Sequence, residues 1–262
     1  MEKLIILNRK QQKISVVIEQ TINSQGLAFV MHGLGGFKEQ PHIQTFKDVF
    51  QEQQFTTILF DTTNTLGSHE SEGDYENATV TNYLEDLEDV IEWAKQQTWY
   101  QEPFWLCGHS IGGMCITLYA EKNSEIIKGL APIATVISGK VSLNAPKYRN
   151  NNILKQWEKT GMRIEESKSQ PGKLKKLKWQ HMLDRQKYDI IADANTLTMP
   201  ILMIVGTEDS STPPEHQELL FKVLPHKKEI HHIKDSGHNF RDQKYLNQIK
   251  QIMVQWIQKV QE

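Results

Sequence analysis

Cys107-Gly108-His109-Ser110-Ile111-Gly112-Gly113 is the stretch that decides how this chain is read. The apolar run Pro103-Phe104-Trp105-Leu106-Cys107 leads into it. The small-residue helical pattern Met114-Cys115-Ile116-Thr117-Leu118-Tyr119-Ala120 leads out. Strand, sharp turn and helix form the context that a G-x-S-x-G motif requires. Such a turn strains the serine backbone, so its neighbours must be small. Gly108 and Gly112 meet that need, and Gly113 lets the helix begin close to the strand. The spacing predicts a serine hydroxyl exposed above a strand end, at the positive end of a helix. Taken alone, the same residues also suit a β-to-α turn with an N-cap serine.

Apolar runs and helical stripes alternate on both sides of this turn. Strands are expected at 2–7 and 13–20, the second with Ile14, Val16 and Ile18 alternating. Further strands are expected at 27–31, 56–60, 126–133, 201–205 and 228–233, and helices at 41–53, 78–97, 214–223 and 242–260. Residues 62–76 are polar, contain glycine and lack periodicity, which reads as a long loop. This alternation predicts an α/β fold: a mostly parallel, twisted sheet with helices on both faces. In such sheets sites form at the carboxyl ends of strands. Four loops with unusual chemistry follow expected strands there: 32–36, 108–113, 206–213 and 235–240.

Composition narrows the function classes. At 262 residues the chain is long enough for one large domain or two small ones. Apolar residues make up 38% and charged residues 24%, a globular rather than a disordered balance, and a net charge of −2 argues against general nucleic-acid binding. The apolar run at 4–7 is too short for a signal peptide, and no run elsewhere would span a bilayer, so a cytoplasmic protein without membrane insertion is expected. Cys107 and Cys115 fall on an expected buried strand and helix and read as buried thiols. Residues 139–195 differ from the rest. They have a weak apolar pattern and thirteen Lys/Arg against six Asp/Glu, leaving 17 basic and 26 acidic side chains elsewhere.

A serine hydroxyl needs a base, and the base needs an orienting acid. His238, in Asp235-Ser236-Gly237-His238-Asn239-Phe240, is the candidate base. Asp209, in Gly206-Thr207-Glu208-Asp209-Ser210-Ser211-Thr212-Pro213, is the candidate acid. Glu208 and Asp235 are rivals. The longer Glu208 side chain would shift the geometry, and Asp235 reads as a turn-shaping residue three positions before the base. Backbone N–H groups of Ile111 and Leu34 are the candidate oxyanion donors. His32 reads as a brace for its glycine-rich loop, His109 as directed away from substrate, and His69 as a solvated loop residue or a cleft residue. A metal is not expected: adjacent His231 and His232 point to opposite faces of a strand, and His226 and the cysteines lack ligand spacing. Residues 33–36 also lack the Lys-Ser/Thr ending of a phosphate loop.

His32-Gly33-Leu34-Gly35-Gly36, Gly108-His109-Ser110-Ile111-Gly112-Gly113, Gly206-Thr207-Glu208-Asp209 and Gly237-His238 together resemble the α/β-hydrolase superfamily over nearly the whole chain. The serine–acid–histidine order is the one that superfamily uses. Within it the chain looks most like the bacterial cinnamoyl/feruloyl esterases and their serine-aminopeptidase-like relatives. Ser71-Glu72-Gly73-Asp74-Tyr75-Glu76-Asn77-Ala78-Thr79-Val80 leading into a long helix supports that branch. The loop at 64–71 departs from the Gly-His-Gly-x-Ser usual in that branch, and Ile111 stands where it often has Gln.

The resemblance implies a core of residues 1–138 and 196–262, with residues 139–195 forming a cap inserted after the sixth strand. It implies Ser110 as nucleophile, His238 as base, Asp209 as acid, and Leu34 and Ile111 as oxyanion donors. Tyr148, Trp157, Trp179 and Tyr188 are candidate pocket aromatics from the cap. Lys173-Leu174-Lys175-Lys176-Leu177-Lys178 reads as a solvated basic face, or as an attractor of anionic substrates. The expected function is a carboxylesterase-type serine hydrolase working through an acyl-enzyme on a small-molecule ester of a short-chain or aromatic acid, with no metal or organic cofactor. A thioesterase or acyl-peptidase on the same triad is the alternative within enzymes. A non-catalytic hydrolase-fold binding protein is the alternative from another class. A homodimer is compatible with the sequence, and oligomeric state stays open.

Overall fold

A computed structural model describes residues 1–66, 70–149, 152–166, 172, 174–225 and 227–262. The chain opens with β1 (Glu2–Leu7) and β2 (Lys13–Glu19), which pair antiparallel, and Ile14, Val16 and Ile18 of β2 are buried. β3 (Leu27–Met31) follows, then α1 (Pro41–Glu52), β4 (Thr56–Asp61), α2 (Val80–Ala94), β5 (Phe104–His109), α3 (Ile111–Lys122) and β6 (Ile127–Ile133). After β6 come α4 (Pro146–Arg149), α5 (Ile153–Thr160), the antiparallel hairpin of β7 (Met162–Glu166) and β8 (Leu174–Lys178), and α6 (Gln180–Arg185). The chain closes with β9 (Ile201–Gly206), α7 (Pro214–Val223), β10 (Lys228–Ile233) and α8 (Gln243–Gln261).

Eight strands form one sheet in the order β1-β2-β4-β3-β5-β6-β9-β10. From β4 to β10 every neighbouring pair is parallel. β3, β4, β5 and β9 are buried at every position, as strands covered on both faces must be. Two apolar clusters do the covering. One packs residues of α2, α3 and α7 against one face, and the other packs α1 and α8 against the opposite face. This is the mostly parallel, helix-flanked sheet expected from the alternation of apolar runs. The chain steps from β3 to β4 on one side and returns to β5 on the other. The loops after β3 and β5 therefore open at the point where strand order reverses, where clefts form in such sheets.

Segment 139–195 leaves and rejoins the sheet at one place. Gly139 N donates to Tyr188 O at 2.8 Å, and Ile190 N donates to Ile137 O at 2.9 Å. Its weak apolar pattern corresponds to short helices and a two-stranded hairpin, elements too short to bury a core of their own. Trp157, Leu177 and Met182 instead join the apolar cluster of the α2–α3 face. Thr81, in the first turn of α2, donates from its N–H and hydroxyl to the Asp184 carboxylate of α6 at 2.9 and 2.6 Å. Of the basic run 173–178, Lys173 lies outside the described residues. Lys178 pairs with Glu76 and Asn77, and Lys176 is exposed. Among the described residues, no helix is long and apolar enough to cross a membrane. Cys107 and Cys115 are buried free thiols, and burial pushes both pKa values up.

Candidate active site

β5 delivers the chain to Ser110, which adopts φ 57° and ψ −116°, a left-handed conformation costly for a side-chain-bearing residue. Backbone bonds hold it there. Ser110 N donates to Ile133 O at 3.0 Å, and Ser110 O accepts from Met114 N at 3.1 Å and Val136 N at 3.2 Å. The turn closes only because its flanks lack side chains. A Cβ at Gly108 would stand 2.6 Å from Gly112 O, and one at Gly112 would stand 2.4 Å from His32 O. The second contact shows why the β3 loop and the serine turn are read together: their backbones touch.

The loop after β10 brings His238 over this turn. His238 Nε2 lies 3.0 Å from Ser110 Oγ, and Nδ1 lies 2.7 Å from Asp209 Oδ2. An ionised carboxylate only accepts, so Nδ1 carries the proton and Nε2 is free to accept from the serine hydroxyl. Asp209 is buried at the end of β9. Burial would raise its pKa, but the His238 charge and hydrogen bond, with the N–H and hydroxyl of Thr212, outweigh it and hold the carboxyl well below its usual range. Neither rival acid reaches His238. Asp235, at φ 60°, shapes the turn: its N–H donates to Thr207 Oγ1 and its carbonyl accepts from Tyr245 Oη. Glu208 donates its N–H to Ser236 O at 2.9 Å and lines the cavity without contacting His238.

Two supports were not read from the sequence. Thr212 Oγ1 lies 2.7 Å from Asp209 Oδ2, 2.9 Å from Ala134 O and 3.2 Å from His238 Nδ1. The N–H groups of Ser211 and Thr212 donate to Asp209 Oδ1 at 2.7 and 2.9 Å. The signal was present as an Asx-type turn, an aspartate followed by hydroxyl residues two and three positions on. The second support is a row of rings. His109 packs edge-on against His42 at 4.5 Å on one side and lies 4.7 Å from the His238 ring on the other. Its Nε2 donates to the His238 carbonyl at 2.9 Å, so that nitrogen is committed to the backbone of the base. Burial, then neighbouring histidines, lower His109 well below its usual pKa and His42 to about 3. Both stay neutral beside the base.

His32 acts as the brace expected of it. Its Nδ1 donates to Gly33 O at 2.8 Å while Nε2 accepts from Thr62 N at 3.2 Å. In this loop Gly35 N donates to Tyr83 Oη and Gly36 N to Gly33 O. Among the described residues, the N–H groups of Leu34 and Ile111 donate to no protein acceptor, and both residues line the same cavity as Ser110. Ile111 opens α3, where an N–H has no partner within the helix. These are unclaimed donors of the kind an oxyanion takes.

The cavity has a volume of about 660 Å³. Loops after β3, β5, β9 and β10 form one wall, and segment 139–195 forms the other. Tyr148 and Trp157 line it, as does Lys175. Trp179 and Tyr188, grouped with them from the sequence, do not. Trp179 packs edge-on against Trp157 at 5.5 Å, and the Tyr188 hydroxyl bonds Thr81 Oγ1 at 2.6 Å. Their role is to fasten the segment to itself and to α2. His69 and His226 lie outside the described residues. Among the described residues, no group of three or more His, Cys, Asp or Glu side chains could hold a metal ion.

The family model for serine aminopeptidases of the S33 group matches residues 23–242. An uncharacterized 31.7 kDa protein of Escherichia coli, from the traX-finO intergenic region, is 22% identical, the match covering 89% of this chain and 90% of that protein. Among solved structures, Est1E of Butyrivibrio proteoclasticus with bound ferulic acid superposes with a TM-score of 0.80 at 19% identity, covering 98% of each chain. Mouse alpha/beta hydrolase domain-containing protein 10 superposes with a TM-score of 0.79 at 14% identity, covering 99% of this chain and 100% of that one.

Proposed function

The chain belongs to the serine aminopeptidase S33 family, within the α/β-hydrolase superfamily, and on that premise we propose a serine hydrolase that cleaves carboxylic esters through an acyl-enzyme. One observation carries the reading: a strained Ser110 whose Oγ sits 3.0 Å from His238 Nε2, with the opposite ring nitrogen 2.7 Å from a carboxylate held ionised. His238 Nε2 takes the hydroxyl proton as Ser110 Oγ bonds to the acyl carbon. The N–H groups of Leu34 and Ile111 hold the oxyanion. His238, now cationic and steadied by Asp209, protonates the leaving alcohol as the carbon–oxygen bond breaks. Water then repeats the sequence on the acyl-enzyme and releases the acid. Residues 139–195 serve as the cap that closes this chemistry over the core of residues 1–138 and 196–262.

The acyl groups proposed are short-chain or aromatic. The cavity volume of about 660 Å³ and the rings of Tyr75, Tyr148 and Trp157 on its walls suit them, and a structurally similar protein carries ferulic acid. A fluorophosphonate probe is the first test: it should label the protein, and labelling should vanish in Ser110→Ala. A panel of esters, thioesters and aminoacyl amides then ranks the leaving groups, with esters expected to lead. A protein that neither reacts with the probe nor turns over any member of the panel would overturn the hydrolase reading.

A further inference from the structure

Arg185 ends α6 and lines the cavity, yet it is only 3% exposed. Its Nε and Nη2 are buried and have no hydrogen-bond acceptor. These two nitrogens share one edge of the guanidinium, the edge that grips a carboxylate with two parallel bonds. A buried cation left uncompensated is strongly destabilising, so such groups ordinarily carry a counter-ion. Among the described residues none is present. The adjacent Asp184 is committed to Thr81 and Lys187. Glu165 pairs with Arg163, and Glu166 accepts from Gly172 N. Glu208, Asp235 and Asp242 also line the cavity, and none makes an ion pair with Arg185.

The surroundings reinforce the positive field. Tyr148 is buried beside Arg185 and Lys147. Burial would raise its pKa, but Lys147, Arg185 and Arg163 outweigh it and push the phenol down to about 8. One turn before Arg185, His181 also lines the cavity. Its Nδ1 lies 3.0 Å from Ala78 O, which only accepts, so Nδ1 is protonated and Nε2 is left as a buried acceptor without a partner. Two unclaimed donors and one unclaimed acceptor therefore belong to residues that line the same cavity as Ser110.

We propose that Arg185, with the Tyr148 hydroxyl and Lys147, is a receptor for a free carboxylate carried by the ester substrate, and that His181 Nε2 accepts from a hydroxyl or N–H beside that carboxylate. The site then selects esters that are anionic at a point remote from the bond they lose. Arg185 acts as a specificity residue, gripping the end that does not react. This rests on the esterase reading above for its chemistry, but the receptor is a binding site in its own right.

The test uses mono-nitrophenyl esters of succinate, glutarate and adipate, each against the half-amide that replaces the free carboxylate with a neutral group of the same shape. A second arm carries the carboxylate on the alcohol side, as acetyl esters of ω-hydroxy acids against their amides. For at least one chain length, kcat/KM should favour the carboxylate by about 10- to 100-fold, the range expected for one charge-assisted pair, with most of the effect in KM. Arg185→Gln should collapse that ratio. Arg185→Lys should recover only part of it, because an ammonium lacks the planar fork. A ratio near one at every length in both arms would overturn the receptor, as would a ratio unchanged in Arg185→Gln.

Should the Arg185 variants fail to fold, the wild-type protein still decides. Free glutarate or adipate should compete with a neutral ester and raise the Tyr148 titration from about 8, by neutralising the cations that depress it. Dicarboxylates that neither inhibit nor shift that titration would overturn the proposal. The two readings fail separately. Dicarboxylate binding without any ester turnover or fluorophosphonate labelling would sink the esterase and leave the receptor. Neutral-ester turnover without carboxylate preference would do the reverse.

Discussion

On the sheet side of the cavity, the acid and the base are committed to their neighbours, while the N–H groups of Leu34 and Ile111 stay open. Asp209 accepts from His238, from Thr212 Oγ1 and from two backbone N–H groups, and the His238 carbonyl is held by His109. On the side of segment 139–195, Arg185 Nε and Nη2 and His181 Nε2 are buried with nothing to bond. The sheet side is set before any substrate arrives, which is what positioning a proton and a nucleophile requires. The insertion side is complete only when something else enters. Here the saturated groups orient the base, and the unsaturated ones, the N–H groups of Leu34 and Ile111 included, are open to a ligand.

The sharpest way to break this contrast is to remove the saturated side's central atom. Ser110→Ala should lower kcat on a neutral ester by about four to six orders of magnitude, because the remaining oxyanion donors do not replace a nucleophile. Stability should change little, since the Ser110 backbone contacts survive. Steady-state kinetics with thermal unfolding checks both, and near-normal turnover would show that the saturated side is architecture and not machinery.

Next comes Asp209→Asn, expected to cost about three to four orders of magnitude in kcat by favouring the wrong His238 tautomer. It carries a second readout. The Asp209 carboxyl is held well below its usual range in the folded state. Its ionised form therefore stabilises the fold at pH above the ordinary aspartate value near ~3.9, and that stabilisation is lost as pH falls through the depressed folded value. Removing it should flatten the acid side of the stability profile. Between about pH 5 and pH 3 the melting temperature of Asp209→Asn should fall less than that of the wild type.

The same contrast explains what could be read from the sequence. Ser110 and Asp209 each follow an apolar strand and His238 follows the last strand of the sheet, so one topology rule gathers them at one sheet edge. His32 was legible as a brace because it sits inside a glycine-rich loop. Segment 139–195 offered no such rule. The hairpin strands MRIEE and LKKLK are half polar and pair only with each other, so their alternation is faint. Arg185 and His181 looked like two more polar residues in a basic segment. Their burial comes from docking α6 on the first turn of α2, a contact about a hundred residues distant in sequence. Trp179 and Tyr188 were grouped with Tyr148 and Trp157 because ring type alone does not say which side of a short helix faces the cavity.

That docking contact supplies the third prediction. The Asp184 carboxylate accepts two bonds from Thr81 while burial alone would raise its pKa; those bonds and Lys187 hold it below its usual value instead. Asp184→Ala leaves a hydroxyl and an N–H at the start of α2 without their acceptor. It should destabilise the protein by about 2–3 kcal/mol. The unsaturated wall should loosen with it, so any preference for carboxylate esters should shrink while fluorophosphonate labelling of Ser110 persists. Equal loss of both would mean that the two walls are one cooperative unit and not two independent surfaces.

The smallest expected effect refines the saturated side. The Thr212 hydroxyl has one proton for two acceptors, Asp209 Oδ2 and Ala134 O. Thr212→Val keeps the shape and the backbone N–H bond to Oδ1 but removes the hydroxyl. Asp209 then keeps His238 and two N–H donors, enough to remain ionised near neutral pH. The loss should be about 1–2 kcal/mol, or roughly 5- to 30-fold in kcat, with KM unchanged because the hydroxyl sits behind the base and away from substrate. Because the hydroxyl helps to hold the Asp209 pKa down, its removal raises that value toward the unfolded one, and the acid side of the stability profile should flatten. Thr212→Ser should restore both rate and profile. A Val variant with full activity would show that the three remaining donors already saturate the carboxylate and that the hydroxyl serves the Ala134 carbonyl, a residue held at φ 44°.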